Sequence, residues 1–144
     1  MIKVSLMCGL PGSGKSTVAE QLAKTTRAVI ISRDSIRKMI AGSYDQYQKM
    51  VFAAADRKYA KKTEQLVMSM ALSCAKEAIE DQRDIIIDET NITFKVRARW
   101  INSIKTYIDT SDNKKVLNNE VLFNCLWVKT PIETCIERRL KNTQ

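Results

Sequence analysis

Nine residues, "GLPGSGKST" from Gly9 to Thr17, stand between an apolar run and an amphipathic one, and their placement constrains the fold more than any other stretch of the chain. Ile2–Cys8 reads as a buried strand, and "STVAEQLAK" sets Val18, Leu22 and Ala23 on one helical face. The glycine-rich segment is therefore the loop that turns a strand into a helix. It matches G-x-x-x-x-G-K followed by Ser or Thr in full, through Gly9, Gly14, Lys15 and Ser16. Glycines let the backbone curl until its N–H groups point inward at phosphates. Lys15 is expected to reach the β and γ phosphates, and the Ser16 hydroxyl to ligate Mg²⁺. The motif predicts binding of ATP or GTP with Mg²⁺.

The remaining pattern repeats that alternation. "AVIIS" reads as a second strand ending at Ser32, "RDSIRKMIAG" as a helix stopping near Gly42, and "DIIIDE" as a third strand that is apolar until its carboxyl end. The helix "TEQLVMSMALSCAKEAIEDQ" carries Leu66, Val67, Met70, Ala71, Cys74, Ala75, Ala78 and Ile79 on one expected apolar face, a core stripe. "TFKVRARWINSIKTYI" is helical through Val96, Trp100, Ile104, Tyr107 and Ile108, "TSDNKK" is a polar loop, and "VLFNCLWV" is a fourth strand. Thr130, Pro131 and Glu133 predict a capping box opening a last helix from Pro131 towards Lys141. Strands alternating with helices predict an α/β fold of three layers, a mostly parallel sheet flanked by helices, in one domain over residues 1–144.

Ligands of open α/β sheets lie beyond the carboxyl ends of the strands, so acids there should face the phosphate loop. Asp34 follows the second strand, and Asp88 with Glu89 ends the third. Asp34 is placed to orient an acceptor hydroxyl and take its proton, although a helix N-cap would use the same residue type. Asp88 or Glu89 is expected to support the metal through water. Arg37, three residues after Asp34, either binds a substrate phosphate or pairs with Asp34 along the helix.

Composition narrows the chemistry. The chain has no histidine, which excludes imidazole bases, Ser/His/Asp triads and His-ligated metals, so a general base must be a carboxylate. Cys8, Cys74, Cys125 and Cys135 form no C-x-x-C pair and sit among apolar neighbours, as buried thiols of a reducing compartment do. No run approaches the roughly 18 apolar residues of a membrane span, and no signal sequence is read at the N-terminus. A soluble, cytoplasmic protein without a membrane partner is expected. The net charge of +8 favours polyanionic partners through phosphate contacts, or describes no more than a basic surface. The runs "DRKYAKK" and "KVRARW" place basic residues beside Tyr59 and Trp100, as a single-strand groove would; a solvated helix face with a core tryptophan is the plainer reading.

Together, "GLPGSGKST", "SRDSIR" and "DETN" resemble the kinase domain of bacteriophage-type polynucleotide 5′-hydroxyl kinases. The resemblance is ordered and covers most of the chain. It implies donor-phosphate contacts from Gly9, Pro11, Gly12, Ser13, Gly14, Lys15, Ser16 and Thr17, with ATP and Mg²⁺ as cofactors. It assigns Asp34 as the base towards the 5′ hydroxyl of DNA or RNA, with Arg37 and Arg33 on the acceptor strand. Glu89, Thr90 and Asn91 match its D-T-N element, with Thr90 and Asn91 expected near substrate, unless Asp88 is the matching acid. The family's late-helix arginines fall on "ETCIERRLKN", where Arg138 matches, Arg139 replaces an asparagine and Asn142 stands for the last arginine. Arg138 is expected to neutralise developing charge, with Arg139 as its substitute. A neighbouring subunit, and so a homo-oligomer, is one way to complete a lid. No D-x-D occurs, so no 3′-phosphatase activity is expected.

Three other readings use the same scaffold. A DNA base kinase would set Asp34 against a hydroxymethyluracil, and a small-molecule or nucleotide kinase against another hydroxyl. A simple ATPase would use the strand-end glutamate to activate water.

Overall fold

In the computed structural model, which describes residues 1–53 and 56–142, all four apolar runs form strands. They are β1 (Ile2–Cys8), β2 (Val29–Ile31), β3 (Ile85–Asp88) and β4 (Val121–Trp127). They form one sheet in the order β2-β3-β1-β4, every pairing parallel, with Val4 opposite Ile85 and Phe123. Parallel pairing is possible because a helical crossover separates each strand from the next.

The helices are α1 (Lys15–Thr26), α2 (Arg33–Ala41), α3 (Tyr44–Tyr47), α4 (Arg57–Glu80), α5 (Phe94–Asp109), α6 (Lys114–Leu117) and α7 (Ile132–Asn142), with a π-helical turn at Gln48–Phe52. Side chains alternate across the sheet. Ile2, Val4 and Leu6 of β1 join Ile85 and Ile87 of β3 in the larger core, under α2, α4 and α5. Met7 and Ile86 point to the opposite face, where Val18, Ala19, Leu22 and Ala23 of α1 cover them. These two cores make the α/β sandwich.

Several local expectations are corrected. α4 begins six residues before Thr63, because the Asp56 carboxylate accepts from Tyr59 N and caps it. Its buried face is Thr63, Val67, Met68, Ala71, Ala75, Ala78 and Ile79, while Leu66 and Cys74 are exposed. Cys125 is exposed as well, so only Cys8 and Cys135 are the buried thiols expected. The polar stretch before β4 contains the short helix α6, capped by Asn113. The last helix starts at Ile132, and the Thr130 hydroxyl donates to Ser13 O at 2.7 Å, tying the helix entry to the phosphate loop. No helix among the described residues is long and apolar enough to cross a membrane.

Candidate active site

The loop after β1 takes its shape from glycine. Gly12 and Gly14 hold φ of 83° and 96°, a region that costs a side chain, and Gly14 is the residue from which α1 springs. A Cβ on Gly12 would lie 2.7 Å from Cys135 O, so α7 packs directly against the loop there. Gly12, Ser13, Gly14, Lys15, Ser16 and Thr17 line an open cavity of about 610 Å³, closed on one side by Arg138 and Lys141. Arg138 reaches it by donating from a terminal guanidinium nitrogen to Gly12 O at 3.0 Å. A cationic cradle at a helix N-terminus fits a polyphosphate. Ser13 Oγ is buried there without a hydrogen-bond partner.

A second cavity of about 560 Å³ shares Lys15 and Ser16 with the first and lies on the α2 side of the loop. Pro11, Ser32, Asp34, Ser35, Lys38, Tyr44, Gln48, Asp88, Glu89, Thr90 and Arg139 complete its walls. Asp34 is not a helix cap: Ser32 accepts from Ser35 N and fills that position, leaving Asp34 in the first turn with a side chain 64% exposed. The strand-end acids separate. Ser16 Oγ donates to Asp88 Oδ2 at 2.8 Å, whereas both oxygens of Glu89 accept from Arg33 Nε, at 2.6 and 3.0 Å. Mg²⁺ binds through one or two protein groups, phosphate oxygens and water, so the Ser16–Asp88 pair fits it; no group of three or more ligating acids or cysteines occurs among the described residues.

Other candidate residues make contacts within the protein. Arg33 is held by Glu89 and lies over the Trp100 ring at 5.9 Å instead of lining the second cavity. Asn91 is fully buried, and its Nδ2 donates to Met7 O at 2.9 Å, a strut between β1 and the loop after β3. Thr90 lines the cavity while its carbonyl accepts from Gly9 N. Arg37 is withdrawn into ion pairs with Asp34 and Glu64. Trp100 is buried in the larger core and offers no stacking surface, while Trp127 is half-exposed beneath Arg97.

Glu64 and Tyr47 belong to this site although the sequence did not single them out. Tyr47 OH donates to Glu64 Oε1 at 2.7 Å, and Arg37 donates from Nε and a terminal nitrogen to the two Glu64 oxygens at 3.1 and 2.8 Å. Burial pushes the Glu64 carboxyl up, but the bonds from Arg37 and Tyr47 outweigh it and hold the group below the usual carboxylate range. Burial, then the hydrogen bond and charge of Glu64, push the Tyr47 phenol up to about 12. A further cavity of about 440 Å³ between α4 and α5 contains none of the candidate residues.

A family model described as an AAA domain matches residues 4–142. Among solved structures, a chain of the Pnkp1/Rnl/Hen1 complex superposes with a TM-score of 0.60 at 22% identity, over 95% of this chain and 38% of that one. A candidate kinase from Chloroflexus aurantiacus superposes with a TM-score of 0.65 at 14% identity, over 99% of this chain and 67% of that one. Deoxyadenosine kinase from M. mycoides with bound dATP gives 0.48 at 23% identity, over 100% and 72%. No curated protein matches by sequence. At these identities the first two likenesses show the fold alone, an α/β fold with a parallel sheet flanked by helices.

Proposed function

The chain belongs to the AAA domain family, and from that premise we propose that it is an Mg²⁺-dependent kinase that moves the γ-phosphate of ATP to the 5′ hydroxyl of DNA or RNA. One observation carries the reading. Asp34 and Lys15 line the same cavity, so an acid with an exposed carboxylate shares a chamber with the phosphate loop. A phosphotransferase needs that arrangement, because the acceptor oxygen must approach in line with the transferred group.

In this reading the backbone N–H groups of Gly12 and of Gly14 to Thr17, with Lys15, bind and orient the donor phosphates. Ser16 and Asp88 would hold the metal. Asp34 accepts the proton of the acceptor hydroxyl. Arg138, on the donor cavity, balances charge on the phosphates, and Arg139 and Thr90, on the other, face the acceptor. MgATP, when bound, supplies the transferable phosphoryl group with its charge partly neutralised. Simple hydrolysis would ask Glu89 to activate water, yet both its oxygens are engaged by Arg33. The resemblance of "GLPGSGKST", "SRDSIR" and "DETN" to polynucleotide kinases supports a nucleic-acid acceptor.

The test is transfer of labelled γ-phosphate to a 5′-hydroxyl oligonucleotide, the same strand already 5′-phosphorylated, and end-blocked hydroxymethylated DNA. Label on the first alone is expected. Label on the blocked DNA would move the acceptor to the base, and no label on any would overturn the nucleic-acid reading.

A further inference from the structure

On the reading just given, the acceptor strand needs a cation for the phosphate that follows its terminal nucleoside, and Arg37 is the residue that sequence resemblance offers. The geometry points elsewhere: we propose that Lys38 binds the acceptor phosphate, and that Arg37 is a positioning residue which Glu64 and Tyr47 hold against Asp34.

All three guanidinium nitrogens of Arg37 are committed. Nε and one terminal nitrogen bond the two oxygens of Glu64, and the other terminal nitrogen bonds Asp34 Oδ1 at 2.6 Å. The Arg37 side chain is 15% exposed and does not line the acceptor cavity. Recruiting it to a phosphate would break a two-pronged bond and leave the Glu64 carboxylate, itself 29% exposed, without its cation. Tyr47 resists the same move, because its phenol is fully buried and Glu64 Oε1 accepts its hydroxyl.

Lys38 differs on each count. It sits four residues after Asp34 on α2, hence on the same side of the helix. It is exposed, lines the cavity beside Asp34 and Ser35, and has no ion pair among the described residues. Its ammonium can turn to a phosphate without losing a protein partner.

The Arg37 bond has a different use. Asp34 stands on the exposed first turn of a helix, where its carboxylate would rotate freely. One oxygen fixed by Arg37 leaves Oδ2 to meet the acceptor hydroxyl in a defined orientation. The chain Tyr47–Glu64–Arg37–Asp34 thus runs from the core to the reacting oxygen.

Steady-state transfer to thymidine 3′-monophosphate and to thymidine, at saturating ATP, tests both halves. Lys38→Met should raise KM for the monophosphate roughly tenfold or more, with KM for thymidine within about twofold of wild type, and Lys38→Arg should restore the first value. Arg37→Lys and Glu64→Gln should each lower kcat about tenfold on both acceptors with KM unchanged. Two positioning variants are used so that misfolding of one, seen as a collapsed thermal transition, does not decide the outcome. A KM rise confined to the monophosphate in Arg37→Lys, with Lys38→Met unaffected, would overturn this assignment alone. Absence of transfer by the wild type to either nucleoside and to a 5′-hydroxyl oligonucleotide would overturn the proposed function, and this assignment with it.

Discussion

Asp34 and Lys15 line one cavity but touch different halves of the proposed reaction, so their variants should separate. Asp34→Asn keeps shape and removes the proton acceptor; phosphate transfer should be lost while ATP affinity stays nearly intact. Lys15→Ala should damage both, measured by label transfer beside an ATP titration. Equal loss of ATP binding in the two variants would sink Asp34 as the base. Gly12 makes a sharper local demand. Alanine there would place a methyl 2.7 Å from Cys135 O in a backbone of positive φ, at a cost of about 1–3 kcal/mol. Gly12→Ala should lower the melting temperature and weaken ATP binding together, because the loop must leave α7 to make room. At this scale the sequence was most legible where chemistry is local: the loop, Asp34 and the strand-end acids stand where their spacing puts them. It was least legible where partners come from afar. Nothing near Glu89 announces that Arg33, 56 residues away, engages both its oxygens while Asp88 faces Ser16.

Elements were legible through periodicity, and the misplacements have physical causes. The α4 face was displaced because apolar residues at Leu66 and Cys74 face outward, while Thr63 and Met68 are turned inward by packing on the sheet. Trp100 lies among basic residues in the sequence, yet α5 turns it into the core and leaves those charges outside. Trp100→Ala should therefore cost roughly 3–5 kcal/mol in a denaturant titration and behave as a core deletion. The joint between α2, α3 and α4 adds a pH signature. Tyr47 has its folded pKa raised to about 12 from the ordinary 10.0, so its contribution is fully present below pH 10 and is lost as pH rises towards 12. Glu64 has its folded value lowered from 4.5, so its contribution is present above that and is lost as pH falls through the lower folded value. Burial also pushes the Cys8 thiol up to about 11, which overlaps the alkaline window. Comparing wild type with Tyr47→Phe isolates the phenol: the variant should be less stable at pH 8, with a shallower stability loss between pH 10 and 12. An unchanged alkaline slope would show that Tyr47 does not bear on the joint.

For the whole molecule, a positive excess of eight charges says little until the fold shows where cations stand. Lys15, Lys38 and Arg139 line the cavity beside Asp34, and Lys15, Arg138 and Lys141 line the one along the Gly12–Thr17 loop. Exposed Arg57, Lys58, Lys61 and Lys62 lie on the first turns of α4, the helix whose Glu64 reaches Arg37 and joins that basic end to α2. On the proposed reading of the acceptor, a single strand whose 5′ end enters the cavity would meet cations both at its first phosphate and on the helix packed beside α2. About four neutralised phosphates on a single strand would give a slope near −2.8 in log affinity against log salt, or roughly fiftyfold weaker binding at 200 mM than at 50 mM. A nucleoside 3′-monophosphate, with one phosphate to offer, should show only a small part of that dependence. Fluorescence anisotropy of a labelled 5′-hydroxyl oligonucleotide, run over that salt range, measures the slope. A flat titration would mean that the basic ends of α2 and α4 do not track a strand, and would leave the cavity to a small acceptor instead.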